Sequence, residues 1–338
     1  MKIIVTGGYG FIGSSLIKSL LTNKNYHILN LDNITETSIP LSLKSVKSKN
    51  YYFSKLDICN YNKLKKIIFE FKPNIIFHLA AETHVDNSIT GPKKFIDTNI
   101  VGTFNLIDIC KNLYERKKYK NFKFIHISTD EVYGSNENDY SKENDRLNPS
   151  SPYSSSKAAA EMILNGYTKT YGYEFITVRP ANNYGIFQQP EKLIPFSVAN
   201  ILSGNSIEIY GKGNNIRHWL HVDDTCSAID HLIEKGKINE VYNIGSGFYL
   251  SNIELARKLL MILDKQEDMI EFVEDRPGHD FRYAVNLDKI SSTGWKPISV
   301  FDEKLEETVN WYQNNENWWK NEYENVKSNK RLKRSGLN

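Results

Sequence analysis

The sequence has few cysteines, no long apolar run and little net charge, and each of these absences excludes a class of protein. Its three cysteines, Cys59, Cys110 and Cys226, are odd in number, far apart and without a CxxC pair. This pattern argues against a disulfide framework and against a zinc site, and because no metal-ligand spacing is present we expect no bound metal. No run approaches the ~20 apolar residues that a membrane helix needs.

The net charge is +3, and most of the excess lies in KSNKRLKRSG at 327–336. Because no aromatic residues interleave with these charges, we interpret 325–338 as a solvated, disordered tail and not as a nucleic-acid or membrane arm. The stretch MKIIVTGG at 1–8 has only three consecutive apolar residues before two glycines, which is unlike a signal peptide. We therefore predict a cytoplasmic protein with no nucleic-acid and no membrane partner.

Short apolar runs alternate with longer amphipathic segments over the first half of the chain. Nearly continuous apolar runs are typical of parallel strands covered on both faces, and their alternation with helices predicts βαβ units. We predict strands at 2–6, 27–32, 74–80, 123–128 and 175–180, and helices at 11–22, 61–71, 92–117 and 152–170. The predicted fold is α/β, a doubly wound parallel sheet of the Rossmann type.

A glycine-rich turn follows the first predicted strand and opens the first predicted helix. In TGGYGFIG (6–13), Gly7, Gly10 and Gly13 have the spacing G-x-x-G-x-x-G. Such glycines permit a tight turn and a close approach to a pyrophosphate, which the helix N-terminus then binds. Asp32 ends the second strand, where a carboxylate accepts from both ribose hydroxyls of NAD and repels the 2′-phosphate of NADP. The pattern predicts NAD+ as the cofactor.

After about residue 180 the segments become shorter and richer in proline, glycine and asparagine. One clear helix, at 251–264, opens with a capping box formed by Ser251 and Glu254. We interpret the second half as a smaller substrate-facing domain that interleaves with the sheet domain. The predicted NAD-binding domain is 1–180 with about 213–245 and 293–315, and the predicted nucleotide-sugar domain is 181–212 with 246–292.

Two groups of residues indicate chemistry. In YSSSK, Tyr153 and Lys157 lie four residues apart and so share a helix face, where the ammonium is expected to lower the pKa of the phenol and make it a base. In FIHISTDEVYG (124–134), a buried strand runs into two adjacent carboxylates, Asp130 and Glu131. Burying one carboxylate is costly unless it is paired or hydrogen-bonded. Two adjacent carboxylates at the end of a buried strand therefore need an explanation beyond stability.

Together, the glycine motif, the acidic end of the second strand and YxxxK resemble the extended short-chain dehydrogenase/reductase superfamily. Longer motifs in the same order, from residue 2 to about residue 312, resemble the dTDP-glucose 4,6-dehydratase family within it. These motifs are LAAETHVDNSI (79–89), TNIVGT (98–103), TDE (129–131), NNYG (182–185), PEKLIP (190–195), IYGKGNNIRHWLHVDD (209–224), YNIG (242–245) and DRPGHDFRY (275–283). One stretch differs, since NITETSIPLSL (33–43) replaces the family's tyrosine- and glycine-containing segment.

This resemblance implies a reaction that explains the two acids. Tyr153 would take the C4 hydroxyl proton of a nucleotide-diphosphate glucose while hydride moves to NAD+, and Thr129 would complete the Ser/Thr–Tyr–Lys set. Glu131 would then remove the C5 proton while Asp130 protonates the C6 hydroxyl that leaves as water. Returning the hydride to C6 would regenerate NAD+ in each turnover, so that the cofactor stays tightly bound. A homodimer through the helices at 92–117 and 152–170 is also implied.

The resemblance assigns the remaining site residues by matched position. The NAD site would comprise Gly7, Gly10, Phe11, Ile12, Gly13, Asp32, Asn33, Ile34, Thr35, Asp57, Ile58, Leu79, Ala80, Ala81, Thr83, Thr98, Tyr153, Lys157 and Asn183. The substrate site would comprise Thr83, Thr129, Asn182, Lys192, Leu193, Glu208, Ile209, Tyr210, Arg217, Asn252, Asp275, Arg276, Pro277, Gly278 and His279.

Three alternatives stay open at this point. A UDP-glucose 4,6-dehydratase would share these motifs, because thymine differs from uracil by one methyl group, which is worth only ~1 kcal/mol in a pocket. A nucleotide-sugar 4-epimerase or UDP-glucuronate decarboxylase would share the glycine motif and YxxxK, but is not expected to carry both Asp130 and Glu131. A non-catalytic NAD-binding regulator would not need the tyrosine, the lysine or the two acids.

Overall fold

The computed structural model describes residues 1–23, 25–115 and 122–336, and within these ranges all side chains except those of 23, 114–115 and 329–336. The strands of the described residues, numbered along the chain, are β1 (Lys2–Thr6), β2 (His27–Asp32), β3 (Tyr51–Lys55), β4 (Ile75–His78), β5 (Lys123–Ile127), β6 (Ile176–Pro180), β7 (Asn182–Tyr184), β8 (Ile207–Tyr210), β9 (Ile216–His221), β10 (Glu240–Ile244), β11 (Tyr249–Ser251) and β12 (Ile270–Val273).

Helices connect these strands. The α-helices are α1 (Phe11–Asn23), α2 (Tyr61–Phe71), α3 (Val85–Thr90), α4 (Pro92–Phe95), α5 (Thr103–Glu115), α6 (Pro152–Tyr171), α7 (Leu193–Leu202), α8 (Val222–Lys235), α9 (Asn252–Ile262), α10 (Asp288–Ser292), α11 (Phe301–Asn314) and α12 (Glu316–Gly336). A π-helical segment spans Ile96–Gly102, and 3₁₀ turns span Pro40–Leu43, Asp130–Tyr133 and Glu267–Met269. No helix in the described ranges combines the length and apolar character that crossing a membrane requires.

A parallel sheet of seven strands, in the order β10-β6-β5-β4-β1-β2-β3, confirms the predicted doubly wound α/β fold. Apolar cores cover both of its faces, and Ile3 and Ile4 of β1, for example, lie in different cores. All five predicted strands are present, but β3 and β10 were not predicted. Both are edge strands whose mixed sequences, YYFSK and EVYNI, lack the continuous apolar run that marks the inner strands.

The strands of two smaller sheets, β11-β9-β7 and β12-β8, lie after β6 in the chain, on both sides of β10 in sequence. They adjoin a further apolar core that α7, α9, α11 and α12 share. The predicted assignment of 293–315 to the NAD-binding domain differs from this packing. Phe301, Leu305 and Val309 of α11 belong to the further core and not to the cores of the main sheet. Residues 216–221, within the predicted NAD-binding segment 213–245, form β9. This strand belongs to a small sheet, because it pairs with β7, for example at Asn182 and Trp219. The domain boundaries otherwise stay a prediction.

The helix predictions are confirmed at 11–22, 61–71, 152–170 and 251–264, and the capping box of Ser251 and Glu254 is formed. The helix predicted over 92–117 is confirmed over 92–115, where α4 continues through the π-helical segment into α5, although the π-helical segment itself was not predicted. Residues 116–117 lie outside the described residues. The side chain of Asn99, within the π-helical segment, bonds the backbone N–H and C=O of Glu82 in another loop. Such tertiary contacts are invisible to helical periodicity.

The predicted disorder of 325–338 is wrong over 325–336, because α12 continues to Gly336. Trp319 and Tyr323 are buried in the further core and anchor the first turns of this helix. Basic residues near a helix C-terminus interact favourably with the helix dipole, which explains how a charged sequence continues a helix. Residues 337–338 lie outside the described residues.

Candidate active site

A cavity of about 640 Å³ lies at the carboxyl ends of the main-sheet strands, where open α/β sheets bind ligands. It brings together most of the predicted cofactor and catalytic residues and part of the predicted substrate residues. Its lining includes Gly7, Gly10, Phe11, Ile12, Gly13, Asp32, Asn33, Thr35, Asp57, Ile58, Leu79, Ala80, Ala81, Thr83, Thr98, Thr129, Asp130, Glu131, Tyr153, Lys157, Asn182, Asn183, Lys192 and Leu193.

The glycine turn between β1 and α1 leaves no room for side chains. Gly7 has φ +69°, and a Cβ there would stand 2.7 Å from the backbone of Ala80. A Cβ on Gly13 would stand 2.2 Å from the carbonyl oxygen of Gly7. Because both positions exclude a side chain, the backbone amides at the start of α1 are open to a ligand with phosphate groups.

Asp32 is buried at the end of β2, next to this turn. Its Oδ2 accepts from the amide of Tyr9 at 2.9 Å, and its Oδ1 accepts from the amide of Ile34 and the hydroxyl of Ser38, both at 2.8 Å. The three donors fix the orientation of the carboxylate. Since each carboxylate oxygen has two lone pairs, the group keeps the capacity to accept from ribose hydroxyls.

The catalytic turn, Thr129–Tyr133, follows β5 directly. Thr129 caps the 3₁₀ turn by accepting from the amide of Glu131 at 3.3 Å, and its hydroxyl also donates to Asp130 Oδ1 at 3.3 Å. This cap turns the chain out of the sheet, so that both acids line the cavity instead of the apolar core. The two carboxylates are therefore placed where a ligand in the cavity would meet them.

Asp130 is fully buried, and its surroundings favour the protonated form. Burial, assisted by the nearby charge of Glu131, raises its pKa to about 8. Oδ2 of Asp130 has no hydrogen-bond partner among the described residues. A protonated carboxyl group with a free oxygen facing a cavity can act as a general acid near neutral pH.

Glu131 has a different environment from its neighbour. Burial also raises the pKa of Glu131, but three cations, Arg276, Lys192 and Arg217, oppose this rise. Since those cations stabilise the charged form, Glu131 is the acid better suited to be the base. Environment thus separates two acids that are adjacent in sequence.

Tyr153 and Lys157 lie on one face of α6, as predicted, and both are buried. The expected lowering of the Tyr153 pKa by Lys157 is wrong, since burial together with Glu131 and Asp130 raises it. The ammonium of Lys157 donates to the carbonyl of Ile127 at 2.6 Å, and burial lowers its pKa to about 8. The spacing predicted the shared face correctly, but not that desolvation and two carboxylates would outweigh the lysine.

A second cavity of about 1020 Å³ adjoins the first and is lined by predicted substrate residues of the second half, Tyr210, Asp275, Arg276 and Pro277. Asp86 of α3 connects two of them: Oδ2 accepts from the Tyr210 hydroxyl at 3.0 Å and Oδ1 from Arg276 Nη1 at 2.9 Å. The two cavities share Thr35, Thr37, Glu82, Lys94, Gln189 and Glu191. Together they form a continuous lining from the glycine turn to β12.

Some predicted site residues line neither cavity: Ile34, Glu208, Ile209, Arg217, Asn252, Gly278 and His279. Ile209 packs in the further core, and Arg217 is buried and donates to the carbonyls of Ile216, Asp280 and Phe281. His279 bonds Asp275 Oδ1 at 2.7 Å, and burial, with Arg276 and Arg217, lowers its pKa to about 4. Their predicted contacts with cofactor or substrate therefore stay predictions.

Four predicted catalytic or substrate-binding residues carry buried polar atoms without a hydrogen-bond partner in the described part of the chain. These atoms are Asp130 Oδ2, Asn182 Oδ1, Asn252 Oδ1 and Arg276 Nε. Asp130 and Asn182 line the first cavity, and Arg276 lines the second. Leaving such groups unpaired costs free energy, so these three fit a polar ligand in the cavities. No group of three or more His, Cys, Asp or Glu side chains in the described ranges is arranged to hold a metal ion.

Sequence reasoning missed some residues that contribute to the site. Ser38 holds Asp32, Asp86 holds Arg276, and Trp219 lines the first cavity with its indole N–H unpaired among the described residues. Trp219 and Asp86 lay within quoted motifs, IYGKGNNIRHWLHVDD and LAAETHVDNSI, which was a usable signal. Ser38 lay in the divergent 33–43 stretch, where no signal was available.

Comparison with known proteins agrees with this geometry. The model of the GDP-mannose 4,6 dehydratase family matches residues 4–308. A dTDP-glucose 4,6-dehydratase of Shigella flexneri is 42% identical, with 97% of this chain and 96% of that one covered. The structure of a dTDP-glucose 4,6-dehydratase from Bacillus anthracis, in complex with NAD, is 43% identical with a TM-score of 0.86, covering 95% and 99%. Another, from Streptomyces venezuelae with NAD bound, is 37% identical with a TM-score of 0.91, covering 95% and 100%.

Proposed function

The chain belongs to the GDP-mannose 4,6 dehydratase family, and from this membership we propose that it is an NAD-dependent hydro-lyase that converts dTDP-glucose to dTDP-4-keto-6-deoxyglucose and water. The observation that carries the proposal is the pair of adjacent acids on the catalytic turn. A redox or epimerisation site needs a tyrosine and a cofactor, whereas a dehydration also needs an acid and a base. Asp130 and Glu131 lie in one cavity with Tyr153 and have different surroundings.

NAD+ fits the first cavity. The backbone cradle at Gly7 and Gly13 accommodates a pyrophosphate, and Asp32 is positioned for the ribose that follows it. Bound there, NAD+ supplies a hydride acceptor for the sugar and later the same hydride for its C6 carbon. The protein residues supply the proton transfers.

Tyr153 is the base for the first of these transfers, taking the proton of the C4 hydroxyl as that carbon is oxidised to a ketone. Burial raises the pKa of its phenol, and two negative charges, those of Glu131 and Asp130, raise it further. Because Asp130 is held protonated near neutral pH, one of the two is absent in the working enzyme. Lys157, on the same helix face, adds a positive charge that favours the phenolate.

The elimination follows from the two acids. The C4 ketone acidifies the C5 hydrogen, and the Glu131 carboxylate removes it as a proton. Asp130 gives its proton to the C6 hydroxyl, so that the C6–O bond breaks with water as the leaving group. Glu131, now protonated, returns a proton to C5 when hydride adds to C6. Tyr153 releases to solvent the proton that it took from the C4 hydroxyl, and Asp130 takes one proton from solvent. Protons and hydride balance over the cycle, with one water released.

The test is to incubate the purified protein with dTDP-glucose and with UDP-glucose separately and to identify the products by mass. We expect a product that has lost one water from dTDP-glucose and a much slower reaction with UDP-glucose. Preference for UDP-glucose would change the nucleotide assignment. A product of unchanged mass would indicate an epimerase, and the absence of any reaction would favour a non-catalytic NAD-binding protein.

A homodimer through α5 and α6 is part of the proposal. Large apolar side chains are exposed on these helices and the preceding π-helical segment: Val101, Phe104, Met162 and Tyr171. Such a patch on a helix pair fits an interface between two copies. Replacing Met162 with Glu should shift the mass measured by light scattering from dimer to monomer, whereas Met261→Glu, at a more exposed methionine on α9, should not. A dimer unaffected by Met162→Glu contradicts this interface.

A cytoplasmic location is proposed as well. Cys59, Cys110 and Cys226 are all free thiols, and two of them are buried. Free thiols without disulfides fit a reducing compartment. Cell fractionation that places the protein outside the cytoplasm would overturn this part.

A further inference from the structure

A buried ion pair lies on the same face of α6 that carries Tyr153 and Lys157. Glu161 follows Lys157 by four residues, as Lys157 follows Tyr153, so the three share one face of the helix. Glu161 is 1% exposed and Arg179 of β6 is 3% exposed. Arg179 Nε lies 3.0 and 3.2 Å from the two Glu161 oxygens, and Nη2 lies 2.5 Å from Oε2. This is a bidentate pair in full burial, and the reaction does not use it directly.

The other end of the Arg179 guanidinium reaches the catalytic turn. Nη1 donates to the Tyr133 hydroxyl at 2.5 Å and to the carbonyl of Glu143 at 3.2 Å, and the guanidinium stacks 4.7 Å from the Tyr133 ring centroid. Tyr133 is the last residue of the turn that contains Asp130 and Glu131. Its hydroxyl in turn donates to Asn243 Oδ1 of β10 at 2.8 Å. One side chain therefore links the helix of Tyr153 and Lys157 to the turn of the two acids.

The same pair determines the charge around Lys157. Glu161 is the carboxylate that favours the lysine ammonium, against the effect of burial. From the other elements packed here, His78 of β4 and His126 of β5 face Lys157, and burial lowers the pKa of each so that they stay neutral. This buried group therefore contains two cations, Lys157 and Arg179, and one carboxylate, Glu161.

We propose that Glu161, Arg179 and Tyr133 are positioning residues of the reaction: Arg179 holds the catalytic turn in register with α6, and Glu161 keeps Lys157 charged. The inference rests on the proposed function for its effect on turnover, but not for its effect on Lys157. Removing the Glu161 charge would leave two cations buried without a carboxylate, and the one that can lose its proton is Lys157. The catalytic turn would meanwhile lose one support.

The first test follows the titration of Lys157 by NMR in protein carrying ¹³C-labelled lysine, comparing wild type with Glu161→Gln and Glu161→Asp. We expect Glu161→Gln to lower the titration midpoint of Lys157 by on the order of one pH unit. Glu161→Asp keeps the charge and should restore most of the difference. An unchanged midpoint in Glu161→Gln overturns the electrostatic role, and this readout does not depend on which sugar nucleotide the enzyme uses.

The second test measures turnover. With Lys157 needed in its charged form, the alkaline limb of the kcat profile should move to lower pH in Glu161→Gln and return in Glu161→Asp. Wild-type protein that turns over no sugar nucleotide refutes the proposed function alone, and the NMR titration then decides the inference. A Glu161→Gln profile identical to that of an active wild type refutes the inference alone.

The third test covers the case in which Glu161→Gln does not fold. Tyr133→Phe removes one hydroxyl and leaves the ring stacked on Arg179. We expect kcat to fall several-fold while KM and NAD+ retention stay unchanged, because the acids are displaced but their cavity is intact. Tyr242→Phe is the matched control, since it removes another buried tyrosine hydroxyl, which bonds the Lys237 amide away from the turn. Equal kcat values in the two variants overturn the role of the Arg179–Tyr133 contact.

Discussion

The ends of β2 and β5 differ in how they hold a buried aspartate, although both lie at one edge of one sheet. Asp32, which is 6% exposed, accepts three hydrogen bonds of 2.8 to 2.9 Å over its two oxygens. Asp130, which is 2% exposed, accepts one of 3.3 Å on Oδ1, and Oδ2 has no partner among the described residues. Exposure to solvent is nearly equal, so hydrogen bonding and the charge of Glu131 beside Asp130 are what separate the two groups.

This difference explains why one aspartate suits recognition and the other chemistry. Donors on both oxygens hold the Asp32 side chain in one orientation, which suits a group that must accept from a ribose in every turnover. Asp130 has few donors and a charged neighbour, and its pKa is raised to about 8. A group that must give and regain a proton benefits from being held loosely near the working pH. At nearly equal exposure to solvent, hydrogen bonding and the neighbouring charge of Glu131 therefore distinguish the two roles.

The largest expected effect comes from Asp130→Asn, which keeps the shape of the catalytic end but removes its transferable proton. We expect turnover to fall by ~10²–10⁴-fold, the usual contribution of general acid catalysis. Glu131→Gln should cause a loss of similar size by removing the base. NAD+ should stay bound in both variants, because the β2 end is untouched. The measurements are product formation and the absorbance of the bound cofactor, and unchanged turnover in both variants would remove the dehydratase assignment.

The second effect concerns stability, because Asp130 binds a proton more tightly in the folded than in the unfolded chain. Its pKa is raised from 3.8 to about 8, so between these values unfolding releases a proton and the group destabilises the fold increasingly as pH rises. The slope for one such group is at most ~1.4 kcal/mol per pH unit. Asp130→Asn removes this titrating group. The free energy of unfolding of the variant, relative to that of wild type, should therefore increase from pH 5 to pH 8. Chemical denaturation at a series of pH values measures this.

A variant that gains nothing over that interval would show that Asp130 is ionised in the folded protein. The comparison between the two strand ends would then fail, because both would hold a carboxylate. Glu131→Gln provides a check of the cause. Since the charge of Glu131 is the second contribution to the raised pKa of Asp130, its removal should make the pH dependence of stability shallower.

How much of this was predictable can be judged from the same two ends. The sequence predicted that both strands end in acids near a glycine turn, because apolar runs and motif spacing are local properties. The proton on Asp130 was predicted only through family resemblance, since it depends on desolvation by residues far apart in the chain. At Tyr153 the prediction from the sequence was wrong. The spacing to Lys157 predicted a lowered pKa, whereas burial together with two carboxylates raises it. Pairwise spacing cannot report the solvent that surrounds a pair.

Fold prediction failed for comparable reasons. The edge strand β3 was missed because Tyr52 and Phe53 are exposed and its pattern carries no buried run. The π-helical segment within the predicted helix was missed because nothing in its sequence shows that Asn99 bonds the backbone of Glu82. Inner strands, helix caps and the glycine turn are set locally and were predictable. Features that depend on a partner distant in sequence were not.

The third effect is expected at the β2 end. Asp32→Asn keeps most of the local hydrogen bonds but replaces a charged acceptor for the ribose with a neutral amide, and hydrogen bonds to charged groups contribute about 1.5–3 kcal/mol. We expect NAD+ affinity to fall by roughly ten- to hundredfold, while turnover at saturating NAD+ stays near that of wild type. Equilibrium dialysis measures the affinity. A loss of turnover at saturation would mean that Asp32 also serves the chemistry, which would erase the contrast with Asp130.

The smallest expected effect tests whether orientation alone matters at the β2 end. Ser38→Ala removes one of the three donors to Asp32 and no charge, and a single hydrogen bond of this kind contributes about 0.5–1.5 kcal/mol. NAD+ affinity should therefore fall by only about two- to tenfold. Ser15→Ala, which removes a hydroxyl bonded to the Phe11 carbonyl within α1, is the matched control and should leave affinity unchanged. Because the amides of Tyr9 and Ile34 remain, the carboxylate keeps a donor on each oxygen and stays unlike Asp130. If Ser38→Ala lowered NAD+ affinity as much as Asp32→Asn does, the Ser38 hydroxyl, and not the charge of Asp32, would determine ribose binding at the end of β2.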